Sequence, residues 1–242
     1  LMAVGMAFLW KLLYGRIVGE KNKDLSEERK ELKKVPESQE KVKTSMNSFV
    51  LVLLIFIMLA IILQGMLRDG VTNWMPTLMA ETFALDSSVS ILTGVVLPIF
   101  SILCYQLTSW INRVLIQNEL ICAGVIFLAG FAAALLLALT GSRSVVLSLF
   151  FLAVLVGSMH GVNLILVCMI PPVFARYGRV SLISGIINSC TYVGSAVSTY
   201  GIAVFTDHFG WTGTIILWIA IALAGALICL GLGKRWKIFA EL

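Results

Sequence analysis

The chain has 242 residues, 59% of them hydrophobic and 13% charged, with a mean hydropathy of +0.97. Soluble domains carry roughly 25% charged residues, so the composition excludes one and predicts an all-α membrane protein, in which each lone spanning segment satisfies its own backbone. The net charge of +5 is not a nucleic-acid signal, because the basic residues lie between apolar runs, where they set orientation.

In chain order, residues 1–14 come first. They open on Leu1, and the apolar run to Trp10 stops at Lys11. A span needs about 20 apolar residues, and no basic region or cleavage site marks a signal peptide. This segment reads as the tail of a transmembrane helix whose beginning is missing. Residues 15–48 read as a charged cytoplasmic linker: counting Lys11, it holds ten Lys and Arg against seven Asp and Glu. The Glu27-Glu28-Arg29-Lys30-Glu31 alternation suits a short solvated helix with pairs four residues apart.

A bundle of six hydrophobic segments is expected over 49–233, at 49–83, 89–111, 120–140, 145–170, 181–205 and 212–233. Residues 234–242 then form a cytoplasmic tail. The linker, Arg113, Arg176, Arg179, Lys234, Arg235 and Lys237 fall on one side, and the opposite connections hold only Arg143 among basic residues. The positive-inside rule puts the linker and C-terminus in the cytoplasm of a multi-pass cell-membrane protein. Trp74, Trp110, Trp211 and Trp236 sit near proposed boundaries, as an aromatic belt would. The five cysteines lie in apolar segments without C-x-x-C spacing; they read as small buried hydrophobes, with no metal site, and no cofactor or nucleotide motif is read anywhere.

The spans differ in polarity. Gln64, Arg68 and Thr72 recur every fourth residue in the first; Ser101, Tyr105, Thr108 and Asn112 stripe the second; His160 and Asn163 mark the fourth; Ser184, Asn188, Tyr192, Ser195 and Thr199 stripe the fifth. The third and sixth are nearly dry. Such spacings place polar groups on one helix face. The order wet, wet, dry, wet, wet, dry is what an inverted three-plus-three repeat around a cavity gives, although no residue-level repeat is visible. Ser and Thr that only glue helices together are the alternative. Gly157/Gly161, Gly185/Ser189, Gly194 and Gly201 are read as points of close helix approach.

Arg68 and Asp69 are the only charges placed inside a hydrophobic segment, Glu81 being grouped with the outer connection that follows the first. Charge within a span is costly and marks a functional site by default. Residues 49–67 alone reach about 28 Å at the helical rise, so length leaves two readings of Arg68: a snorkelling cap at the helix end, or a cavity group if the helix continues past Trp74. Asp69 lies about 100° around an ideal helix from Arg68 and need not neutralise it.

Residues 67–77 carry Arg68-x-Gly70, then Trp74-x-Pro76-Thr77. This pattern resembles the seventh helix of the organophosphate:phosphate antiporters, the glycerol-phosphate and hexose-phosphate transporters of the major facilitator superfamily. Tyr192-Val193-Gly194 and Asp207-His208-Phe209-Gly210-Trp211-Thr212-Gly213 resemble that family's eleventh helix and outer loop. The resemblance implies the six-helix C-terminal half of a major facilitator fold. It further implies that Arg68 binds substrate alongside a second arginine from the absent first half, that Tyr192 lines the cavity, and that phosphate is exchanged. There are two departures. Residues 105–113 lack the acid of the family's Gly-x-x-Ser-Asp-type motif, and His160 stands where an aromatic hydroxyl is usual. A carrier for another organic anion fits equally.

The function expected is secondary transport of a small organic anion, with the bilayer, the anionic substrate and the missing N-terminal half as partners. The substrate-binding candidates are Arg68, Tyr192, Asn188, His160, Gln64, Asn163 and Tyr105. A transporter-like sensor of the same ligand is the alternative. No Ser, His or Asp arrangement suggests an enzyme.

Overall fold

A computed structural model describes residues 48–86, 96–140 and 143–241. The expected helix tail at 1–14, the linker up to residue 47 and the start of the second span lie outside the described residues. Every described element is helical: α1 is Ser48–Phe83, α2 Val96–Val114, α3 Glu119–Thr140, α4 Val145–Asn163 and α5 Val180–Glu241. Among the described residues, four stretches are long and apolar enough to cross a membrane: Ser48–Phe83, Glu119–Thr140, Val145–Tyr177 and Val180–Ala240. The more polar α2 is not among them.

The 36 residues of α1 form one helix, with Pro76 inside it. At about 1.5 Å per residue it outreaches the hydrocarbon core. Its buried positions, among them Leu53, Ile57, Ile61, Gln64, Leu67, Val71, Met75 and Leu78, recur at helical spacing and form one packed stripe. Phe49, Val52, Ile55, Phe56 and Leu59 on the other side are exposed.

The start of α3 is fixed by its preceding residue. Asn118 Oδ1 accepts from the Ile121 amide at 3.0 Å, capping the helix, and Asn118 Nδ2 donates to the Gly233 carbonyl at 2.9 Å. Asn118→Ala is expected to cost about 1 to 2 kcal/mol. Thermal unfolding in detergent should record this as a melting temperature lower by a few degrees.

Beyond Asn163 the chain stays helical but changes pitch. A π-helical stretch, Leu164–Met169, leads into a 3-10 helix, Pro171–Tyr177, with proline in its first turn. Pro171 and Pro172 have no amide hydrogen to donate, so regular α hydrogen bonding stops there. Gly178, at φ 64°, closes the segment in the left-handed conformation.

The expected gap between the last two spans narrows to one residue. Gly210, at φ 65° and ψ −177°, is the single non-helical position inside α5 and divides it into two arms. That combination is essentially restricted to glycine. The expected tail at 234–241 continues the second arm. It buries Trp236 and Phe239 beside Phe174, and Trp236 Nε1 donates to Glu119 at 2.7 Å. Trp236 is therefore a core anchor and not part of an aromatic belt.

The most extensive packing joins α1 to α5; α3 packs on α5 and α4, and α4 on α2 and α1. Missing side chains allow these approaches. A Cβ on Gly65 would stand 2.5 Å from the Thr191 carbonyl oxygen, and one on Gly194 would collide with the Ile62 carbonyl. Gly157 and Gly161 admit Cys104 and Thr108 of α2. Gly185 and Gly201, by contrast, meet no described atom within 4 Å, so the expected close approach there is not made among the described residues.

Candidate functional site

Arg68 lies well inside α1, with twenty helical residues before it (48–67) and fifteen after it (69–83). Arg68 is therefore not at a helix end. Leu67, Gly70 and Val71 face the core, which leaves Arg68 and Asp69 on its rim, at 16% and 23% side-chain exposure. Close backbone approach at Gly65 and Gly194 brings the first arm of α5 against α1 at this level. Gly70 extends the seam, with Ile202 and Ser198 side chains filling its missing Cβ space.

The guanidinium is held on two sides. Arg68 Nε donates to Asp69 Oδ1 at 2.6 Å and Nη2 to Oδ2 at 2.9 Å, while Nη1 donates to Asn163 Oδ1 of α4 at 3.3 Å. The bidentate pair with Asp69 corrects the expectation that the neighbouring acid stays clear of Arg68. Adjacent helical side chains normally diverge, but the long Arg68 stem folds back onto the neighbouring carboxylate at the rim. Sequence spacing concealed this pairing. Ser195 of α5, and His160, Tyr105 and Tyr192, are within electrostatic range of the pair. Ser195 is in the fifth-span stripe but was not among the expected site residues.

His160 and Asn163, three residues apart, share one face of α4. Tyr105 Oη lies 3.4 Å from His160 Nδ1, with ring centroids 5.6 Å apart. The π stretch begins immediately after Asn163, a feature often found next to functional sites. Arg68, Asn163, His160, Tyr105 and Tyr192 are thus gathered from four elements. Tyr192 is 64% exposed, on the open side of the cluster.

Two expected site residues are placed differently. Gln64 is fully buried and donates its amide to the Met159 carbonyl at 3.1 Å; it braces α1 against α4 behind the cluster and does not face an opening. Asn188 lines a separate cleft of about 430 Å³ with Val167, Cys168, Pro171 and Ser184. The second-span stripe also divides. Ser101 and Thr108 are buried, Ser101 bonding the Leu97 carbonyl, and Asn112 donates to the Ile116 carbonyl at the end of α2. Only Tyr105 of that stripe reaches the cluster; Thr108 packs against Gly161 of α4, as helix glue would, whereas Ser101 bonds within its own helix.

On the far side of Arg68, Trp74 packs on Trp211 with centroids 6.5 Å apart, and Trp211 Nε1 donates to Glu81 at 2.7 Å. The Trp of the Arg68 motif and the Trp of the 207–213 stretch therefore meet across the α1–α5 seam. No group of three or more potential metal ligands occurs among the described residues.

The family model described as Major Facilitator Superfamily matches residues 1–199. No curated protein and no solved structure matches the chain.

Proposed function

The chain belongs to the major facilitator superfamily, and on that premise we propose that the Arg68 cluster is one half of an anion site in a secondary transporter. The substrate is a small organic anion carrying a phosphoryl group, such as a sugar phosphate or glycerol phosphate. One observation carries the reading: an arginine midway along a long apolar helix stands in a polar cluster whose other members come from three further elements. A guanidinium suits a phosphoryl group because its planar fork makes two parallel charge-assisted hydrogen bonds and stays charged. Asn163, Tyr105, Tyr192 and His160 supply polar groups around it.

The six spans expected from sequence follow if α5 is counted as two helices hinged at Gly210. The three-plus-three arrangement rests on their polarity order. The exposed positions of Thr72, Asn73, Tyr192 and Thr199 form the polar face that a second helix bundle, supplying the rest of the site, would cover. The two halves then rock about the site to give alternating access. Exchange for inorganic phosphate is the coupling that the family resemblance implies.

Uptake of labelled glycerol 3-phosphate into proteoliposomes of the intact protein tests this. Uptake should saturate and be inhibited by other phosphorylated metabolites more strongly than by carboxylates of the same size. Inhibition only by uncharged compounds would rule out the anion site, and binding without uptake would turn the protein into a sensor.

A further inference from the structure

The fork that is to hold the substrate is already occupied. Two of the five N–H donors of Arg68, those on Nε and Nη2, go to the two oxygens of Asp69, and a third goes to Asn163. The Nε/Nη2 edge, which offers parallel donors to a phosphoryl group, therefore carries a carboxylate. An anion approaching the remaining donors meets the negative charge of Asp69 at close range. The anion binds well only if Asp69 lets go, and nothing does this more directly than a proton.

We propose that Asp69 is a proton-binding site coupled to the anion site, so that the carrier moves its anion together with a proton. The inference rests on the anion site proposed above and assigns it a different coupling partner from phosphate exchange. The step balances simply. A proton from bulk water forms an O–H bond on one Asp69 oxygen, the carboxylate becomes neutral, and Arg68 keeps its charge. Two N–H donors are released and the anion accepts them. The freed carboxyl has Ser195 of α5 nearby. When the anion leaves, Asp69 loses its proton and takes the fork back, so the empty site returns to a neutral ion pair and not to an isolated buried charge.

Proton and anion each favour the broken pair, so each raises affinity for the other by the same factor. The groups facing the pair fit this assignment. His160 and Asn163 come from α4, Tyr105 from α2, and Tyr192 and Ser195 from α5. His160 is the one other group here whose unperturbed range lies near neutrality. It already has Tyr105 as a partner at 3.4 Å and makes no ion pair with Arg68, so its titration does not free the fork.

The test compares wild type, Asp69→Asn and Arg68→Lys in proteoliposomes of the intact protein, with glycerol 3-phosphate as probe. The phosphate group's own titration is common to all three and cancels in their ratios. Wild-type affinity relative to Asp69→Asn should fall as pH rises, by up to about tenfold per unit. Asp69→Asn should bind the probe at least about tenfold more tightly than wild type near pH 8, and a pH gradient should drive accumulation in wild type only. Internal pH should drop as the probe enters wild-type vesicles.

A wild-type to Asp69→Asn ratio that stays flat with pH, or entry of the probe without a proton, overturns the proposal. If Asp69→Asn does not fold, Asp69→Glu keeps a titrating group, and loss of the pH dependence in that variant overturns it equally. Arg68→Lys separates the two readings. Unchanged binding in that variant removes the anion site itself, whereas lost binding with a flat wild-type to Asp69→Asn ratio removes only the proton.

Discussion

Arg68→Lys is expected to lower uptake of a phosphorylated substrate by about two orders of magnitude while the protein still folds and inserts. Lysine keeps the positive charge, so Asp69 retains a counter-ion and no uncompensated charge is created beside α5. What is lost is the planar fork. Arg68 reaches Asp69 through two nitrogens and Asn163 through the third, a spread that one ammonium on a flexible stem cannot reproduce. Each hydrogen bond to a charged group contributes about 1.5 to 3 kcal/mol, so losing one of them when the phosphoryl group binds costs roughly tenfold to a little over a hundredfold in affinity. Arg68→Ala is less informative, because it strands Asp69 at 23% exposure without a partner, and breaking a partly buried pair is itself destabilising. Uptake and melting temperature should be measured on the same preparation. Normal uptake with Lys at this position would remove Arg68 from the site; a large fall in melting temperature would make it a structural residue.

The elements that sequence made legible are those set by periodicity and by unusual residues. The apolar runs, the turn before α3 and the continuation of α1 past Trp74 follow from composition and spacing. So does the grouping of Arg68 with Asn163 and of Tyr105 with His160, because each polar residue stands out against an apolar background. Side-chain reach and the neighbouring helix were not legible. The Arg68–Asp69 clamp depends on the long Arg68 stem folding back over a helix rim, against the ideal angular separation. Gln64 shares its face with Arg68 by spacing, yet α4 packs over it and takes its amide. Asn188 lies one turn before Tyr192, but the 3-10 segment at Pro171–Tyr177 gives it different company. Trp236 sits beside three basic residues at an expected membrane boundary, and only the packing of Phe174 and Glu119 shows that it is buried.

Gly194→Leu is expected to abolish folding of the bundle, and Gly194→Ala to lower its stability by about 1 to 3 kcal/mol, while Gly185→Ala in the same arm has no such effect. Both are helical positions, so the difference is one of neighbours. A Cβ at Gly194 meets the Ile62 carbonyl and stands 3.0 Å from the Met66 amide nitrogen. These are backbone atoms of α1 that no rotamer change can move. Relief requires α1 and α5 to part, and theirs is the most extensive contact in the bundle. At Gly185 a Cβ meets no described atom within 4 Å, and alanine is the better helix former by about 1 kcal/mol, so its melting temperature should hold or rise. The consequence reaches the site, because Ser195, near Asp69, follows Gly194 directly. Widening the seam withdraws Ser195, and substrate affinity should fall in Gly194→Ala even below its melting temperature. Equal melting temperatures and equal affinities for Gly194→Ala and Gly185→Ala would mean that the backbone contact between α1 and α5 does not position the Arg68 cluster.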